Sequence, residues 1–96
     1  MDDTIAKTIL MQLGGNRFIA MTGAKNIGII ASGNGLAFSI PRHNKIKYIR
    51  IKLNGLDLYN MEFLNTKVEV IKGFNGIYSD QLRRIFEEET GLYTSL

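Results

Sequence analysis

Asn54-Gly55 stands between two stretches of strand-forming residues, 46–53 and 56–64. This dipeptide between alternating segments is the strongest short-range hairpin signal a sequence carries, so it commits the middle of the chain to an antiparallel pair. Side chains alternate along a strand, and the pairing therefore defines two faces. One reads Ile49, Ile51, Leu53, Leu56, Leu58 and Leu64, interrupted by Asn60 and Glu62; the other reads Tyr48, Arg50, Lys52, Asp57, Tyr59, Met61 and Phe63. A four-residue loop, 54–57, would shift the pairing and leave both faces unchanged. The aliphatic face is expected to be core and the aromatic and basic face to be open. The alternative is that Tyr48, Tyr59, Met61 and Phe63 make a second core layer or a dimer seam, with the cations at its edge.

The flanking segments fill in an order of elements. Asp2, Asp3 and Thr4 offer capping oxygens to a short helix with Ile5, Ile9, Leu10 and Leu13 on one side and Gly14-Gly15 at its end. Residues 17–22 are rich in strand formers and read as a strand, with a turn over 23–26. Residues 27–31 and 36–40 flank Ser32-Gly33-Asn34-Gly35, a turn that closes a second hairpin, and 41–45 is a loop. A further strand is expected over 67–72 through Val68 and Val70, with 73–76 a loop. Ser79 is placed to cap a helix running to Thr90, with Gly91 as a left-handed stop. Leu82, Ile85 and Phe86 are its apolar stripe.

These elements predict a single α+β domain over 1–96, an antiparallel β-meander of about five to six strands with a short N-terminal helix and a C-terminal helix packed on one sheet face. Ile49, Ile51, Leu53 and Leu58 are expected to meet Leu82, Ile85 and Phe86, because the C-terminal helix is the only long element available to cover the sheet. A 96-residue chain has a thin core, burying only about two-thirds of its unfolded surface, so a second copy would add burial and a homodimer is expected.

Charge is divided along the chain. Residues 4–56 carry Lys7, Arg17, Lys25, Arg42, Lys45, Lys47, Arg50 and Lys52 and no acid, while residues 57–96 carry a net negative charge, and the whole is +3. Such a split suggests a basic surface facing a polyanion. With no cysteine there is neither a disulfide nor a thiolate. No apolar run approaches the ~18 residues of a membrane span, which reads as a soluble cytoplasmic protein without membrane contact.

Chemistry beyond binding has little support. His43 is the single histidine and lies in a polar loop; one imidazole builds neither a zinc site nor a triad, so no metal and no cofactor is expected. No glycine precedes Lys-Ser or Lys-Thr at phosphate-loop spacing, and Gly33-Asn34-Gly35 lacks the third glycine of a dinucleotide fingerprint. The chain reads as a non-enzyme. Glu87-Glu88-Glu89 reads as a solvated helix face.

Several motifs, Leu13-Gly14-Gly15-Asn16, the run 18–26 (FIAMTGAKN), Asp57-Leu58-Tyr59, Glu62-Phe63, Tyr78-Ser79-Asp80-Gln81-Leu82 and Thr90-Gly91-Leu92-Tyr93-Thr94, resemble a family of small phage and prophage proteins of no established activity. That resemblance implies a mobile-element origin and action inside a bacterial cell. In element order the chain also resembles, less closely, the single-strand-binding domain of the transcriptional coactivator called positive cofactor four and its Whirly relatives. Such domains dimerise through the helix and bind single strands on the sheet.

Two functional readings stay open. The first is a nucleic-acid-binding protein, preferring single-stranded DNA, that serves phage replication, recombination or transcription. Tyr48, Arg50, Lys52 and Tyr59 would carry the contact, with Arg17, Lys25, Arg42 and Lys47 in support, since cations neutralise phosphates and aromatic rings stack on bases. The second is a protein-interaction module that modulates a host protein, with the same aromatic face as its hot spot.

Overall fold

The computed structural model describes residues 3–94. Its elements follow in the order α1 (Thr4–Leu13), α2 (Asn16–Thr22), β1 (Lys25–Ile29), β2 (Gly35–Ser39), β3 (Tyr48–Leu53), β4 (Tyr59–Leu64), β5 (Val70–Ile77), a 3-10 turn (Ser79–Gln81) and α3 (Leu82–Thr90). The strands form one five-stranded antiparallel meander in sequence order. The fold is α+β, as the patterning predicts.

The helices are built from local signals. Ala6, Ile9 and Leu13 recur at helical spacing and are buried along α1. Asp3 precedes α1 without a side-chain capping bond and instead pairs with Lys7, while Asp2 lies outside the described residues. Gly14 and Gly15, both at positive φ, turn the chain straight into a second helix. Residues 17–22 are therefore helical and not the expected strand. Phe18 and Thr22, four apart, are the buried side of α2, and the Thr22 hydroxyl donates to the Phe18 carbonyl. Ser79 does not cap the C-terminal helix. Gln81 turns back instead, its Oε1 accepting from the Tyr78 amide at 2.9 Å, and Gly91 ends α3 in the left-handed conformation expected of it.

All three helices lie on one face of the sheet. Phe18 of α2, Phe38 of β2 and Phe86 of α3 meet edge to face or tilted, with centroids 5.2 to 6.3 Å apart. Ala6, Ile9 and Leu13 join the same core as Leu82 and Phe86, so the C-terminal helix shares the covering role with α1 and α2.

The β3–β4 register corrects the expected faces. Leu53 pairs with Tyr59, Ile51 with Met61 and Ile49 with Phe63. The connection 54–58 thus holds an odd number of residues, whereas two- and four-residue loops both give the opposite parity. Asn54 drives this choice. Its amide donates to the Leu58 carbonyl, its carbonyl accepts from the Asp57 amide, and its Oδ1 accepts from the amides of Leu56 and Leu58. Asp57 closes the loop at φ +60°, a conformation Asp tolerates better than most residues.

The same turn recurs between β4 and β5, where Asn65 makes the equivalent bonds and Val68 sits at φ +63°. Val68 accordingly lies in a turn and β5 runs through Gly73 and Gly76, instead of the expected strand over 67–72 and loop over 73–76.

Candidate nucleic-acid interface

The face of the sheet away from the helices carries Ala37 and Ser39 from β2, Tyr48, Arg50 and Lys52 from β3, and Asn60, Glu62 and Leu64 from β4. Three of the expected contact residues, Tyr48, Arg50 and Lys52, are thus on the open face. Tyr59 is not. It is 7 % exposed and belongs with Met61 and Phe63 to the helix-covered core, because the odd loop length inverts β4. Burial raises the Tyr59 phenol above its ordinary value of 10.0, and a hydrogen bond with Gln12 partly opposes that shift.

The supporting cations divide as well. Arg17 is exposed on α2, in the helix layer on the opposite side of the sheet, since its neighbour Phe18 packs into the core. Lys25 starts β1 opposite Ser39, and Tyr48 starts β3 opposite the same Ser39. Arg42 follows β2, and its Nη1 donates to the Met21 carbonyl at 2.9 Å, tying the 41–47 loop to the end of α2. Lys47 directly precedes Tyr48, its ammonium donates to the His43 carbonyl, and its backbone amide donates to Leu64.

The topology therefore brings Lys25, Arg42, Lys45, Lys47 and Lys67 to the end of the sheet where Tyr48 lies, with the Arg42 guanidinium turned toward α2. Among the segments 25–26, 39–48 and 64–69 that form this end, the single acid is Glu69. Lys67 comes from the acidic half of the chain and joins only because the β4–β5 turn brings it there.

His43 has a structural part in this cluster that a lone histidine does not advertise. Its Nδ1 accepts from the amides of Lys45 and Ile46 at 3.0 and 2.9 Å, folding the loop so that Arg42, Lys45 and Lys47 leave it in fixed order.

Further along the face, Arg50 Nε lies 3.2 Å from Glu62 Oε1, as an ion pair and not an aligned hydrogen bond. Both side chains are about one-third exposed. The register that placed Tyr59 in the core also brought Glu62 beside Arg50, so part of the expected positive charge on the strand is compensated. Residues missed from the sequence are Asn26, Ser39 and Val68, which with Tyr48 edge a depression of about 410 Å³. A smaller one of about 180 Å³ lies on the other side of Tyr48, lined by Pro41, Lys47 and Thr66 among others.

No cluster of three metal-ligating side chains occurs among the described residues. Among them, too, no helix is long and apolar enough to cross a membrane. The three glutamates of α3 are all engaged: Glu87 accepts from the Thr94 amide and hydroxyl, Glu88 pairs with Arg84, and Glu89 pairs with Lys72 of β5. They read as ties for the chain's last described turn and for the β5 edge.

Comparisons with protein-family models, curated proteins and solved structures give no match to this chain.

Proposed function

We propose that this protein binds nucleic acid without catalysing a reaction, with single-stranded DNA as the preferred ligand, and that it serves phage replication, recombination or transcription. The observation that supports this is that Lys25, Arg42, Lys45, Lys47 and Lys67 fall at the same end of the sheet as a partly exposed Tyr48, 37 % accessible, with Glu69 as the only acid of those segments. Clustered cations neutralise phosphates, and the release of condensed counterions drives association. The ring supplies a face for base stacking. The phage setting rests on the motif resemblance.

The test is titration of a labelled oligonucleotide by fluorescence anisotropy at two salt concentrations. Micromolar or tighter binding that weakens steeply with salt supports the reading. Absence of binding at low salt ends it.

A second reading, a module that docks on itself as a homodimer or on a host protein, is favoured by the apolar residues Val68, Val70 and Ile71, each about half exposed near the β5 edge. Sedimentation of the pure protein, and capture from nuclease-treated lysate, separate it from the first. A dimer or a stoichiometric partner that excludes the oligonucleotide favours docking.

A further inference from the structure

The depression beside Tyr48 has a definite origin. Ala37 and Ser39 are short side chains on β2, flanked by Tyr48 on β3 and by Asn26 on β1, so the open face sinks between taller neighbours. Leu64 is fully buried on this same face, apart from the main core, and Val68 stands 59 % exposed over it. The result is an apolar hollow with polar groups on one side. Asn26 donates from Nδ2 to the Ser39 hydroxyl at 3.2 Å, and that hydroxyl donates to the Lys25 carbonyl at 3.1 Å. The amide of Asn26 is thereby held with its Oδ1 still available to accept.

We propose that this hollow accepts one unpaired nucleobase, stacked on Tyr48, while the neighbouring cations hold the phosphates on either side. The inference rests on the nucleic-acid reading above and adds how the site tells a single strand from a duplex. A volume of about 410 Å³ falls within the ~300–1,000 Å³ of ligand clefts, which are likewise mostly apolar with a few placed polar groups. A base offers what such a hollow receives: two π-faces, one for Tyr48 and one for the exposed Val68 side chain, and an edge of donors for Asn26 Oδ1. Its sugar-phosphate chain emerges where Lys25 and Lys47 lie on one side and Arg50 on the other. Arg50 is paired with Glu62 at 3.2 Å, so its charge on that side is partly compensated before a phosphate arrives. A duplex keeps its bases stacked and paired, and it brings only phosphates to this surface.

The experiment compares three labelled ligands of equal length: a single-stranded oligonucleotide, the same strand with abasic sites, and a duplex. The intact strand is expected to bind about tenfold or more tighter than the abasic one, the scale of a stacked base. Tyr48→Ala removes the stacking face, and Ala37→Leu fills the hollow from the open side of the sheet. Each should bring the affinity for the intact strand down to that for the abasic strand, with melting curves establishing that both variants fold. Equal binding of intact and abasic strands by the unmodified protein overturns base insertion while leaving phosphate binding in place. A preference that survives Ala37→Leu in a folded protein overturns it as well. Failure of all three ligands to bind at low salt removes the nucleic-acid reading itself.

Discussion

Asn54 and Asn65 hold two hairpin turns of one design. Each donates its amide to the carbonyl four residues on, accepts at its own carbonyl from the amide three residues on, and collects two further amides on Oδ1. The fourth position of each turn is left-handed, filled by Asp57 in one and Val68 in the other. A β-branched residue at φ +63° is a genuine outlier, and strain of this kind costs ~1–3 kcal/mol. Val68→Gly should therefore raise the unfolding free energy by about 1 kcal/mol in urea denaturation, even though it deletes an apolar side chain. Since the side chain overhangs the hollow beside Tyr48, the same variant should bind single strands more weakly. A stability loss would mean that the isopropyl group contributes more through packing than its backbone costs.

Arg50 and Glu62 supply the second prediction. Their ion pair lies in the middle of the open face, and a pair this exposed adds only ~0–1 kcal/mol to stability. Glu62→Gln should leave melting nearly unchanged while freeing Arg50 for phosphate. Oligonucleotide affinity is then expected to rise by about two- to fivefold, with a steeper salt dependence approaching one further phosphate contact, ~0.7 in the slope for a single strand. Arg50→Ala should move both quantities the other way. Weaker binding by Glu62→Gln would show that the carboxylate positions Arg50 and does not merely neutralise it.

Gly35 opens β2 where the sheet backbone closes in. A Cβ there would stand 2.2 Å from the Ile51 carbonyl oxygen and 2.8 Å from Ile30 Cδ1, and the first of these is backbone that has no room to yield. Gly35→Ala should cost more than ~2 kcal/mol, read as a lower denaturation midpoint. Gly28→Ala, with open space around the added methyl, is the matched control and should be nearly silent.

How far the sequence foretells this molecule depends on which interactions decide each segment. The helices ending at Gly14 and Gly91 are legible because apolar spacing and glycine stops act within a few residues. The hairpin at Asn54 is legible in position but not in parity, since Asn54-Gly55 is compatible with a two-residue turn and only the side-chain bonds of Asn54 select the longer loop. Asn60 and Glu62, which interrupt the aliphatic face in the simpler register, are the local trace of that choice. With the odd loop they fall on the open face and Tyr59, Met61 and Phe63 fill the core. The segment 17–22 has strand-forming composition, yet the Gly14-Gly15 reversal and the Phe18–Phe86 contact outweigh intrinsic preference. The basic end of the sheet is half legible: Lys25, Arg42 and Lys47 stand out in the acid-free half, but Lys67 and the His43 loop depend on where turns bring them.

Tyr59 gives a prediction in pH. Burial favours its neutral phenol and holds the folded-state pKa above 10.0, with the Gln12 hydrogen bond a smaller opposing influence. Above the ordinary value the unfolded chain releases the phenolic proton while the folded protein retains it, so the unfolded state binds fewer protons and stability must fall as pH rises. The contribution is intact below 10.0 and is lost as pH climbs through the raised folded value. Tyr59→Phe should be less stable at neutral pH by about 1 kcal/mol, because Gln12 loses its partner. Its stability should decline less steeply at alkaline pH than that of the unmodified protein, and the two denaturation midpoints should converge above pH 10.0. Parallel profiles through that range would show that the phenol is solvated in the folded state.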